Sequence, residues 1–97
     1  PSRVGAALVT LGSHGAVLVE ADGAWAGTPP PIRVQSTVGA GDSSLAGYLL
    51  ADVEGAPAQE RLRRAIRYGS AAASLPGTQA PAPGDLPPGD VPVSPLL

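Results

Sequence analysis

Apolar residues come in short bursts through the first third of the chain. Ala6 to Leu11 reads AALVTL and stops at Gly12, and after Gly15 a second run, AVLVE, closes on Ala21-Asp22-Gly23. A third, AWAGT, ends at Pro29-Pro30-Pro31, and IRVQ follows it. Short apolar runs bounded by Gly, Pro and Asp-Gly read as strands. The SHG and ADG connections are short enough for hairpins, so neighbouring strands are expected to pair antiparallel.

The pattern changes at Ser43. In SSLAGYLLAD, residues Leu45, Ala46, Tyr48 and Leu49 fit one helical face, with Asp42 in the first turn, where carboxylates are favoured. Gly47 lowers helix propensity there, and the small residues around it predict close packing against a neighbour. Gly55-Ala56-Pro57 punctuates the chain, and a second helix is predicted over 58–75. Its apolar stripe is Leu62, Ala65, Ile66, Gly69, Ala72 and Ala73, while Arg61, Arg64 and Arg67 are expected on a solvated opposite side. Pro76-Gly77 ends it. Strands followed by helices predict an α/β fold whose hairpin-linked strands form a mixed sheet edge.

Glycine and proline are abundant, at 13 and 12 of 97 residues, and seven of the prolines lie between Pro76 and Pro95. That tail, 76–97, is too proline-rich for helix or inner strand and is expected to wrap a larger body. With a net charge of −2, six Arg and no Lys, the chain has no basic stripe for nucleic acid. It has no Cys, hence no disulfides or thiolate ligands, and its single His14 gives no zinc set. No apolar run reaches the ~20 residues of a membrane span, so a cytoplasmic protein is expected. The absence of any Met leads us to expect a portion of a longer protein.

The chemistry concentrates in Gly39-Ala40-Gly41-Asp42. Small residues just before a helix let backbone N–H groups approach an anion, which the helix N-terminus already favours. A carboxylate in such a place would repel phosphate, unless its task is to deprotonate a hydroxyl while the amides hold the phosphoryl group under attack. The plainer alternative is a tight strand-to-helix turn in which Asp42 merely caps the helix.

The segment STVGAGDSSLAGYL, Ser36 to Leu49, resembles the C-terminal signature of the ribokinase-like (PfkB) carbohydrate kinases. Upstream, VTLGSHGAVL resembles that family's nucleotide-loop segment, and downstream YGSAAASLPGT resembles the helix and loop that flank adenine. The resemblance implies that 1–97 is the C-terminal, ATP-binding portion of a Rossmann-type three-layer kinase domain. It implies ATP and Mg²⁺, with most magnesium ligands outside this chain. Asp42 would take the proton from the sugar hydroxyl, and the amides of Gly39, Ala40 and Gly41 would form the anion hole. Thr10, Gly12, Ser13 and Gly15 would contact the nucleotide, and Gly69 would lie near adenine. The partners implied are a sugar or phosphosugar and the N-terminal half of the same kinase; a homodimer stays open.

Ser36 stands where the signature usually has Asp, a residue that helps bind a monovalent cation in several members, so the resemblance leaves potassium activation open. The phosphosugar branch, including bacterial 1-phosphofructokinases, varies there too. The Ser36 variant and the preceding triple proline are most similar to that branch, which implies conversion of fructose 1-phosphate into fructose 1,6-bisphosphate. Alone, the segment is expected to be inactive and to be at most a nucleotide-binding piece. A rival class is a serine hydrolase, because Gly41-Asp42-Ser43 resembles some esterase motifs, but His14 would have to act as its base. Trp25 could stack on a nucleotide base, although a hairpin or core contact explains it more simply.

Overall fold

The computed structural model describes residues 6–10, 15–20, 23–29, 40–75, 81, 84, 86 and 91–96. Strands β1 (Ala6–Thr10), β2 (Ala16–Glu20) and β3 (Gly23–Gly27) precede helices α1 (Ala40–Val53) and α2 (Ala58–Ser74), and a short strand β4 (Val93–Pro95) follows. The sheet runs β1-β2-β3-β4 and is antiparallel throughout. Both hairpins expected from the sequence are present; the IRVQ run lies outside the described residues.

Register sets the two faces of this sheet. Leu8, Leu18 and Trp25 stand opposite one another, and so do Thr10, Ala16, Gly27 and Val93. On that side Ala16, Leu18, Leu62, Ile66 and Val91 form the core, with Leu8, Trp25, Tyr48 and Val93 packed against it. Trp25 is thus a core contact. A Cβ at Gly27 would stand 2.6 Å from Ile66 Cδ1, so a larger residue here would make the Ile66 side chain of α2 shift. The other side holds Val9 and Val19, 50% and 45% exposed.

The two helices form an antiparallel hairpin closed by a Schellman motif. Ala56 N–H donates to the Ala51 carbonyl and Gly55 N–H to that of Asp52, both at 3.0 Å. Gly55 takes φ +79°, a left-handed conformation that glycine adopts without Cβ strain.

The buried side of α1 differs from the expected one. Ser44, Gly47 and Ala51 are buried, whereas Leu45, Ala46 and Leu49 are exposed and Tyr48 is half-buried. The reason is the separation of the helices. A Cβ at Gly47 would lie 2.7 Å from the Arg64 carbonyl oxygen and 2.8 Å from Tyr68 Cδ1, so only small side chains fit along this seam. Helical periodicity finds an apolar stripe, but here the seam took the small residues. Along α2 the expected Leu62, Ala65, Ile66 and Ala72 are buried, and so are Tyr68, Ser70 and Ala71, because this helix packs on the sheet and on α1.

Arg61 is not on a solvated face. It is ion-paired with Glu20 of β2 and, at 3.5 Å, with Asp52 of α1, and it lies 5.6 Å from the Tyr48 ring centroid. Burial pushes the Tyr48 phenol above its ordinary value, against the pull of Arg61, so it stays neutral at physiological pH. Arg63 donates to the Val91 carbonyl at 3.1 Å, and Arg64 pairs with Glu54 at 3.2 Å.

The end of the tail belongs to this core. Val91 is fully buried, and β4 pairs with β3 at the sheet edge. Thr28 N–H donates to the Pro92 carbonyl and Leu96 N–H to that of Ala24, so Pro92, Ser94 and Leu96 turn their backbone towards β3. Pro95, which has no N–H to give, faces outward, the one orientation an edge strand tolerates.

Gly47→Ala separates propensity from packing. In an open helix the change stabilises by up to about 1 kcal/mol. Here the methyl meets backbone, and overpacking of this kind costs about 1–3 kcal/mol. A thermal melt is expected to show a lower Tm.

Candidate active site

Helix α1 begins at Ala40, so the first N–H groups of the 40–43 turn have no acceptor within the helix and carry the positive end of its dipole. Gly41 is exposed, and nothing of the described protein lies within 4 Å of where its Cβ would stand, which leaves its backbone open to a ligand. Asp42 follows in the first turn, also exposed. It sits inside the helix rather than at the flanking residue where side-chain caps form.

Asp42 opens on a hollow of about 330 Å³ shared with Ser43, Ala46, Leu50, Tyr68 and Pro81. Ser43, Ala46 and Leu50 recur at helical spacing, and Tyr68 comes across the seam from α2. The sequence reading named Ser43 only as a candidate hydrolase serine and assigned no site role to Ala46, Leu50, Tyr68 or Pro81. The spacing after Asp42 was a usable signal for the α1 members; Tyr68 depends on how the two helices meet.

Other expected site residues divide. Gly69 sits against the first turn of α1, where an added Cβ would stand 3.5 Å from the Ala40 carbonyl oxygen. Thr10 ends β1, exposed and opposite Ala16. Gly15 is buried just before β2, with φ +104°, and a Cβ there would overlap the Gly27 carbonyl. That crowding alone requires glycine, whatever its place beside a nucleotide. Gly12, Ser13, His14, Ser36 and Gly39 lie outside the described residues, as does any meeting of the nucleotide loop with the start of α1.

Residues 2–85 match the profile of the pfkB family carbohydrate kinases. The chain belongs to that family. It is 40% identical over 72 residues to the ATP-dependent 6-phosphofructokinase isozyme 2 of Escherichia coli (strain K12), covering 74% of this chain and 23% of that protein. It is 37% identical over 73 residues to the 1-phosphofructokinase of the same organism, covering 75% and 22%. Among solved structures, Escherichia coli phosphofructokinase-2 in complex with potassium superposes with a TM-score of 0.79 at 37% identity, over 84% of this chain and 26% of that one. The chain therefore spans about a quarter of the length of these kinases. Family membership sets aside the serine hydrolase reading, and the GAGD segment from Gly39 to Asp42 lies within the matched residues.

Asp42→Ala tests the cap reading, because Asn would cap the helix as well as Asp does. A carboxylate in the first turn of a helix contributes about 0.3–1 kcal/mol through the dipole. The variant is expected to melt within that margin below the parent; a larger loss would return Asp42 to a structural role.

Proposed function

We propose that this chain supplies the phosphoryl-transfer end of an ATP-dependent carbohydrate kinase, acting on a phosphosugar, fructose 1-phosphate, to give fructose 1,6-bisphosphate. The reading is carried by one observation: in a pfkB family chain, the exposed carboxylate of Asp42 shares the first turn of α1 with the open backbone of Gly41 and faces a hollow large enough for part of a substrate.

In this reading the Asp42 carboxylate accepts the proton of the acceptor hydroxyl as its oxygen forms a bond to the γ-phosphorus, and the bond to ADP breaks. Charge that builds on the γ-oxygens is met by the N–H groups of Gly39, Ala40 and Gly41, which need no reorganisation at the moment of transfer. Thr10, Gly12, Ser13 and Gly15 hold the nucleotide. Magnesium bound with ATP would further neutralise phosphate charge. Among the described residues no three His, Asp or Glu side chains gather, so these residues do not fit a metal cage and no step is assigned to one.

A second acceptor, fructose 6-phosphate, is favoured by the 40% identity to a 6-phosphofructokinase. Steady-state assays of the full-length enzyme with ATP and each phosphosugar separate the two. We expect the higher kcat/KM for fructose 1-phosphate, and the reverse order would assign the second acceptor. In the same assay Asp42→Asn is expected to lower kcat by about 10²–10⁴-fold, the usual contribution of a general base. A folded Asp42→Asn enzyme with near-parental kcat would end the catalytic-base reading.

A further inference from the structure

The seam between α1 and α2 is tightest at two places, and only one of them touches the turn that carries Asp42. At Gly69 an added methyl would overlap the Ser44 hydroxyl and stand 3.5 Å from Ser44 Cβ and from the Ala40 carbonyl oxygen. Ser44 is only 6% exposed, so its hydroxyl has little room to swing aside. By helix geometry the Ala40 carbonyl accepts from the Ser44 N–H, closing the turn that contains Gly41 and Asp42. Further along, Gly47 clamps α1 against Arg64 and Tyr68. A bulky group at residue 69 would therefore tilt the first turn about that clamp.

We infer that Gly69 is a positioning residue: it lets α2 buttress the first turn of α1 and so fixes the Asp42 carboxylate and the adjacent amides relative to the substrate. The inference rests on the reading of Asp42 as the base. It differs from an adenine contact in what it predicts. A residue against adenine would, when enlarged, raise KM for ATP and leave kcat in place, whereas misplacing the reacting groups lowers kcat.

The experiment uses the full-length enzyme with Asp42→Asn assayed in parallel. A displacement of about 1 Å at a reacting group costs about 10²-fold in rate, so Gly69→Val is expected to lower kcat by roughly that factor with KM for ATP nearly unchanged. If the valine variant does not fold, Gly69→Ala carries the same test: a smaller kcat loss, recovered when Ser44→Ala removes the hydroxyl that the new methyl meets. A rise in KM for ATP at parental kcat, or no kcat effect in a folded variant, overturns the inference. Should Asp42→Asn itself keep its kcat, the catalytic-base reading fails and the inference falls with it, whereas a kcat loss in Asp42→Asn beside none in a folded Gly69 variant overturns the inference alone.

Discussion

The close approach of two helices is the constraint on which the rest of this structure depends. Gly47 leaves α1 in near contact with the backbone of α2, and Gly69 leaves α2 in near contact with the first turn of α1. The short Schellman-closed turn at Gly55 makes the pair antiparallel, so the end of α2 returns to the beginning of α1. Because of that return, Tyr68 and Asp42 line one hollow despite their distance in sequence. Larger residues on the seam would separate the helices and move the N-terminus of α1 away from the body it leans on.

A second tie holds this helix pair to the sheet. Arg61 reaches Glu20 on β2 and Asp52 on α1 while its own helix lies on the core, so one guanidinium links three elements. Such a group is expensive to bury unless its donors are used, and its Nε has no partner among the described residues. Replacing one partner leaves the other charged and half-buried, which costs more than the pair contributes when whole.

Much of the fold was legible because it is written in local signals. Asp-Gly and short polar turns between apolar runs marked the hairpins, Gly55-Ala56-Pro57 marked the helix break, and Gly47 marked close packing. The buried side of α1 was not legible. Its leucines recur at helical spacing as core residues do, and only the separation of the helices turned Ser44, Gly47 and Ala51 inward instead. Arg61 was misread for a related reason: periodicity places a charge away from the core but is silent about a carboxylate on a distant strand. In the site, Asp42 and Gly41 were recognisable from their motif, whereas Tyr68 enters through tertiary contact. The Pro-rich tail gave composition without register, so its return to the sheet as β4 could not be read from it.

Pro95 gives the sheet a direction. At Pro95 the outward side of β4 has no N–H to offer a further strand, which leaves only that of Val93, and the strand is only three residues long. Addition of a strand beyond β4 is therefore weakened by covalent structure at that position, with no need for charge or bulk to repel it. Among the described strands the outer edge of β1, a run of Ala, Leu, Val and Thr with every N–H present, is the side where hydrogen bonding can continue most fully. A strand added at β1 would find the fuller ladder, and the same asymmetry makes the opposite edge a poorer template for the edge-to-edge pairing by which exposed strands aggregate.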